Sequence, residues 1–307
     1  MTKQEPFPDQ LARLLDSSQP LASLRFLSDI TGEGLALLRR KWPAVDAGRR
    51  RQIIGQLVKL HRTDALMNLD EVFLMALDDT DEVVRSQAIQ GLDDMEERRL
   101  SDRLLGLLEN DPSNLVRSAA VSTLGKVAVL AELRKLDAAR SSAIYAALQE
   151  VWQDRRESLD MRCLAIEAIG VFSAPETAEF IKEAYDSGGA RVKASSVRAM
   201  GRNCDPAWVP LLVAEMKSSA TELRYEAALA SGEVASEEAV PQLTSLVDDH
   251  ELHVQRAAIW ALGEIGNSRA RAVLRKLVSS RDEQIRQTAE AALAQASFWE
   301  DPLTSEL

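Results

Sequence analysis

The sequence predicts an all-α fold, and within that class a right-handed α-solenoid, an α–α superhelix of about eight stacked helix pairs. Three observations carry this. The chain is 46% hydrophobic but only 5% aromatic, rich in Ala and Leu and poor in Gly and Pro; Ala and Leu are the residues that lose least on entering a helix. A phrase recurs: HVQRAAIWALGEIG at 253–266 and LVRSAAVSTLGKVA at 115–128 carry Val, small residues, an aliphatic and Leu-Gly at the same offsets. The recurrence is also periodic, which favours an array of stacked units over one central core.

The phrase occurs seven times, anchored on Arg85, Arg117, Arg162, Lys193, Arg224, Gln255 and Arg286, in steps of 32, 45, 31, 31, 31 and 31 residues. Three positions after the anchor stands a small residue: Ala88, Ala120, Ala165, Ser196, Ala227, Ala258 and Ala289. Seven positions after it stand Leu92, Leu124, Ile169, Met200, Ser231, Leu262 and Leu293, and eight after it Gly125, Gly170, Gly201, Gly232 and Gly263. Offsets of three, four and seven share one face of a helix with 3.6 residues per turn. Small residues on or beside that face let a second helix come close, so they are packing choices. Between the phrases lie further apolar segments, VPLLVAEMK (209–217), VPQLTSLV (240–247) and RAVLRKLV (271–278), punctuated by turn signals such as NDPSN, NCDP and DDHE. Each unit therefore reads as helix, turn, helix.

Taken in order, residues 1–45 are read as a helical N-terminal extension, 46–297 as the repeat array and 298–307 as a tail. RRRQIIGQLVKL (49–60) fits the phrase through Arg50, Ile54 and Leu57, giving an eighth, degenerate pair with GEGLALLRRKW. In DDTDEVVR (78–85), Asp79 or Asp81 suits the N-cap of the following helix, and either lies within reach of an Arg. One Arg per unit then suggests a ladder of Asp–Arg contacts between neighbours. Exposed pairs of this kind contribute only ~0–1 kcal/mol each, so apolar stacking must dominate stability and the ladder must fix register. The 45-residue step marks an insertion of about fourteen residues near 129–153, expected as a longer first helix preceded by an extra connection, an irregular joint in the array. The last unit has Glu290 at an offset that is aliphatic elsewhere and Ala294 in place of Gly, as a solvent-facing cap requires. Phe298 and Trp299 of the tail are expected to fold back on that cap or to dock on a partner.

The D…VR…A…LG phrase, as in NDPSNLVRSAAVSTLG (110–125), resembles the HEAT repeat, in the short form also seen in bacterial phycobilin lyase-type repeats. The resemblance covers about residues 46–297 and implies HEAT-like helix pairs in a stand-alone bacterial HEAT-repeat protein. Arrays of this kind serve as scaffolds, adaptors, lyases and occasionally enzymes, so the resemblance speaks to fold more than to function.

Composition narrows the function. The formal charge of −11 disfavours a general nucleic-acid binder. Cys163 and Cys204 form no CxxC, and MTKQEPFPDQLARLLDSSQ has no apolar core of signal-peptide length; both point to a reducing cytoplasm, and no stretch approaches a membrane span. DDHELH (248–253) offers Asp248, Asp249, His250 and His253 to a cation, but its place at a helix start makes its acids caps. HEAT-like deoxyhypusine hydroxylases need several His-Glu pairs, whereas His250–Glu251 is the only one here. GxSxG, phosphate-loop and dinucleotide motifs are absent. The basic run LRRKWPAVDAGRRRQ (38–52) is read as a solvated helix end and start, its Arg stems packed on Trp42.

That leaves the concave side. Offsets one, five and nine face away from the buried stripe and place Arg198, Arg202, Tyr225, Leu229, Arg256, Trp260 and Glu264 there. Arg, Tyr and Trp together are the residue types that anchor protein interfaces. The expectation is a scaffold or adaptor that binds another protein, with no catalytic residue, cofactor or metal. The alternative is a phycobilin lyase-like protein or chaperone of a chromophore-bearing protein, ahead of a nucleic-acid-binding or repair role.

Overall fold

The structure, a computed structural model, describes residues 5–18, 20–21, 24–64, 66–92, 97–133 and 136–298. Residues 299–307, and the packing expected of the Phe298 and Trp299 side chains, lie outside the described residues. The described residues form helices and short 3₁₀ turns with no strand, and the fold is an all-α solenoid of helix pairs. Contacts divide the chain into two compact units, Met1–Ala147 and Leu148–Leu307.

The first unit holds α1 (Phe7–Leu15), α2 (Gly32–Lys41), α3 (Ala47–Thr63), α4 (Asp70–Ala76), α5 (Glu82–Gln90), α6 (Glu97–Asn110) and α7 (Asn114–Glu132), and the first part of α8 (Ala138–Gln153). The second holds the rest of α8, then α9 (Leu159–Ile169), α10 (Thr177–Ser187), α11 (Ala190–Asn203), α12 (Val209–Glu215) and α13 (Thr221–Val234). It closes with α14 (Val240–Leu246), α15 (Leu252–Ile265), α16 (Ser268–Leu277) and α17 (Glu283–Phe298). The anchors fall on α3, α5, α7, α9, α11, α13, α15 and α17, the eight second helices that the repeat phrase predicts. Within the first unit α3, α5 and α7 pack side by side, with α4 behind α5 and α6 behind α7. Within the second, α9, α11, α13, α15 and α17 form a longer row, backed by α10, α12, α14 and α16.

Local chemistry sets the boundaries. Asp81 caps α5, accepting from the Val83 and Val84 N–H groups, and Ser158 and Asn267 cap α9 and α16. Pro210 and Pro241 stand in the first turns of α12 and α14, where a missing N–H costs nothing. At the far ends of α11, α13 and α15 the chain turns through left-handed residues, Cys204 (φ 54°), Ala235 (φ 53°) and Gly266 (φ 58°). Only the last is the glycine that this conformation favours. The insertion differs from expectation: it does not form an extra connection ahead of α8 alone. Val127–Glu132 continues α7 to 19 residues, and α8 reaches 16, against 7 for α12 or α14.

The offset pattern is the core. All seven offset-three residues, Ala88 through Ala289, have no exposed surface, and Ile89, Val121, Ile166, Val197, Ala228 and Ile259 at offset four have none either. Glu290, at the same offset of α17, is exposed. Ser196 and Ser231, polar in this stripe, return their hydroxyls to the Val192 and Ala227 carbonyls in their own helix.

The glycines set the spacing of the row. A Cβ on Gly170 would lie 2.6 Å from the Ala199 carbonyl oxygen; on Gly201, Gly232 or Gly263 it would lie 2.7, 2.8 or 3.0 Å from the Cα of Ala230, Ala261 or Ala292. Each glycine thus meets the same alanine one repeat later.

The ladder is real, and its pairs are buried where surface pairs were expected. Arg50 contacts Asp79, Arg85 grips Asp111 with two bonds of 2.7 and 2.8 Å, and Arg224 grips Asp249 with 2.7 and 2.9 Å. Side-chain exposures of 11% and 4% for Arg85 and Asp111 take this pair well beyond a surface bridge. A second bond recurs: Arg85, Arg117, Arg224, Gln255 and Arg286 each donate to the carbonyl six residues earlier, so the anchor braces the turn before its own helix. At Lys193 the pattern changes: its ammonium meets Glu215 at 2.8 Å and lies 4.5 Å over the Tyr185 ring.

Two outcomes are expected in urea unfolding. Gly170→Ala lowers stability by about 1–3 kcal/mol through overpacking, whereas Ala235→Gly raises it by about 0.5–1 kcal/mol by relieving the left-handed residue. The ladder adds acid sensitivity. The Arg51 hydrogen bond holds the Asp81 carboxyl down to about 2; at Asp111 burial pushes the carboxyl up, but bonds from Arg85 and the Ser113 N–H bring it below the ordinary value. Carboxyls depressed in the folded state stabilise it above their unfolded pKa, and the benefit is lost as pH falls through the folded value. The urea midpoint should therefore drop from pH 4 to pH 2, and Asp111→Ala, which leaves Arg85 buried and unanswered, should cost about 3 kcal/mol at pH 7.

Candidate functional site

The candidate residues lie on three consecutive second helices of the second unit: Arg198 and Arg202 on α11, Tyr225 and Leu229 on α13, and Arg256, Trp260 and Glu264 on α15. Because α11 packs on α13 and α13 on α15, the repeat brings the same offsets of each helix onto one face.

The two ends of this set behave differently. On α15, Arg256 is exposed and Trp260 keeps 37% of its surface, the rest of its ring lying over Gly232 of α13, where a Cβ would stand 2.8 Å from Cζ3. Tyr225 and Leu229 are half-buried beside it, and Tyr225 leans on the His253 ring at 5.4 Å between centroids. Leu252, 39% exposed, extends the stripe one turn towards the start of α15. Glu264 is half-buried.

On α11 the arginines are engaged within the molecule. Arg198 Nε donates to Glu226 of α13 at 2.9 Å, Nη2 also contacts that carboxylate, and Nη1 reaches Glu167 of α9 at 3.2 Å. Ser195 donates to the other Glu167 oxygen at 2.7 Å. Arg202 is exposed, with Nη1 on the Glu167 carbonyl at 3.2 Å. Arg198 therefore clasps three successive helices. Desolvation lifts the Glu226 carboxyl above its ordinary range against the pull of Arg198, and the Glu233 carboxyl rises for the same reason against Arg202. The clasp had a sequence signal: offset five reads Glu167 then Arg198, opposite charges one repeat apart.

The other candidates resolve into structure. Asp249 of DDHELH accepts the Arg224 fork and the Glu251 N–H. No group of three or more His, Cys, Asp and Glu among the described residues is arranged to hold a metal ion. In the basic run Arg49 and Arg50 are only 4% and 7% exposed, contrary to the solvated reading. Arg49 donates to the Leu14 carbonyl, while Arg50 and the Trp42 indole N–H converge on Asp79. No helix among the described residues is long and apolar enough to cross a membrane.

A row of paired helices that repeats the same offsets along one face defines a helical-repeat protein. The family signature of HEAT repeats matches residues 69–158 and 209–294, more than half of the chain, and the chain belongs to the HEAT-repeat family. Among solved structures it is similar to the CpcE–CpcF complex of phycocyanin lyase from Nostoc sp. PCC7120, at 17% identity and a TM-score of 0.54 over 90% of this chain and 100% of that one. Escherichia coli YibA gives 16% identity and 0.43 over 96% and 98% of the two chains. Human deoxyhypusine hydroxylase gives 16% and 0.38 over 95% and 96%. Identities this low speak to the fold alone. No curated protein gives a significant match.

The clasp predicts a pH-dependent defect. Arg198→Ala leaves Glu167 and the buried Glu226 facing each other, costing about 2 kcal/mol at pH 7.5 once the partial exposure of Arg198 is allowed for. A carboxyl whose folded pKa is raised destabilises the fold increasingly as pH rises through that value, so the deficit against wild type should shrink at pH 5 in paired thermal melts.

Proposed function

We propose that the chain is a protein-interaction scaffold or adaptor, without catalysis of its own, working in a reducing cytoplasm. The observation that carries this is Trp260: a large apolar side chain more than a third exposed on α15, with exposed Arg256 one turn away and Tyr225 and Leu229 on the neighbouring helix. A Trp and an Arg held on rigid helices give much contact area for little lost freedom, which is how a few residues come to dominate binding. The mechanism is presentation: the helix row fixes where each anchor stands, and the partner supplies pockets and acceptors. Two unpaired cysteines, one of them exposed, support the reducing setting, and the charge of −11 weighs against nucleic acid as the partner.

A second reading, a lyase-like protein or chaperone for a chromophore-bearing protein, is supported by the likeness in fold to the CpcE–CpcF complex of phycocyanin lyase. Incubation with bilin and an acceptor protein separates the two, since attachment would appear as a new absorption band.

The leading reading is tested by affinity capture from native lysate with crosslinks mapped to the chain. Crosslinks should concentrate on Leu252, Arg256 and Trp260, and the pair Arg256→Ala with Trp260→Ala should weaken retention at least tenfold while thermal melts show the fold intact. Undiminished retention by the double variant would remove this face from the account.

A further inference from the structure

A cavity of about 430 Å³ opens between α3 and α5 in the first unit. It lies on the same helical offsets as the Trp260 face, but its chemistry is different. At offset five, where later units place Glu167, Arg198, Leu229 and Trp260, this one has Gly55, so the row lacks a side chain there and the helix surface is open. Arg51, Lys59 and Arg62 line the opening on the α3 side, one face of that helix at spacings of eight and three residues. The carboxamides of Gln52 and Gln56 flank them, and those of Gln87 and Gln90 face them from α5. No carboxylate and no aromatic ring is among the lining residues, in a chain where acids outnumber bases by 48 to 37.

We propose that this groove binds an extended, acidic stretch of a partner polypeptide. Three observations converge. First, two of the three positive charges are unanswered: Arg51 is occupied by Asp81 at 2.9 and 2.6 Å, whereas exposed Lys59 and Arg62 have no ion-pair partner among the described residues. Like charges gathered in a cleft focus potential on whatever enters it. Second, the amides are matched to a peptide backbone, which offers donors and acceptors in alternation. Gln87 Oε1 is buried with no hydrogen-bond partner, and its terminal torsion is soft enough to turn that acceptor to an incoming N–H. Third, the dimensions suit a peptide. Arg51 to Arg62 spans about 16 Å at the helical rise, the length of about five extended residues. A small anion would use the cations and leave the amides idle. Single-stranded nucleic acid would want aromatic platforms, which the lining lacks.

The test uses the full-length protein and a fluorescein-labelled hexapeptide of alternating Asp and Glu, read by fluorescence anisotropy at low ionic strength. Saturable binding that weakens with added salt is expected, with no binding of the matching Asn-Gln peptide. Lys59→Glu with Arg62→Glu should weaken binding at least tenfold; both residues are exposed, so the fold is retained, as a thermal melt will verify. Gly55→Leu should block the groove, because its Cβ meets only the movable end of Gln87, 3.1 Å away. Trp260→Ala should leave peptide affinity unchanged, which keeps this site separate from the α15 face. Absence of binding, affinity untouched by the charge reversal, or a charge-matched oligonucleotide that outcompetes the peptide would each overturn the proposal.

Discussion

The closest approach between neighbouring second helices is set by backbone meeting backbone. Gly170, Gly201, Gly232 and Gly263 have no room for a side chain, because Ala199, Ala230, Ala261 and Ala292 already stand there. Helices that touch this closely have little freedom to slide or rotate, so every other side chain in the row inherits its position from the contact. Trp260 illustrates the dependence. Its ring occupies the space over Gly232 and is partly covered, partly presented, only because α13 carries no Cβ at that point. In the last unit the glycine is replaced by Ala294, and no further helix of the described chain packs beyond α17.

Polar groups then divide between holding the array and leaving something to bind with. The anchor arginines are fully committed: each braces a turn of its own unit, and several also grip an acid of the next. Such buried pairs add little net stability over apolar packing, but a misregistered neighbour would leave a charge without an answer, so their value is in specificity. Where the ladder is absent or satisfied locally, side chains are released. Lys59 and Arg62 on α3 and Arg256 on α15 are charges of this second kind.

Periodicity made the fold legible. Ala at offset three and aliphatics at offset four are compositional facts that a 3.6-residue helix turns directly into a buried stripe, and Glu290, which breaks that stripe, is exposed. The candidate face was legible only as a direction. Projection placed Arg198 and Trp260 on the same side, but could not tell that Arg198 would be enclosed by Glu167 and Glu226, since that depends on contacts across two helix interfaces. The basic run misled for a similar reason. Arg49 and Arg50 look like surface charge in a list of residues, and only the approach of the Leu14 carbonyl and Asp79 from distant stretches makes burial tolerable. Gly55 carried no signal as an isolated helix glycine; its meaning comes from the side chains that other units place at its position.

The ladder also has an arrow. In the Arg50–Asp79, Arg85–Asp111, Lys193–Glu215 and Arg224–Asp249 pairs, the cation always belongs to the earlier segment and the acid to the later one. In these four pairs a nascent chain leaving the ribosome presents the basic group before its counterpart has been translated. A chain cut short between the two members of such a pair therefore keeps a cation whose acid was never made.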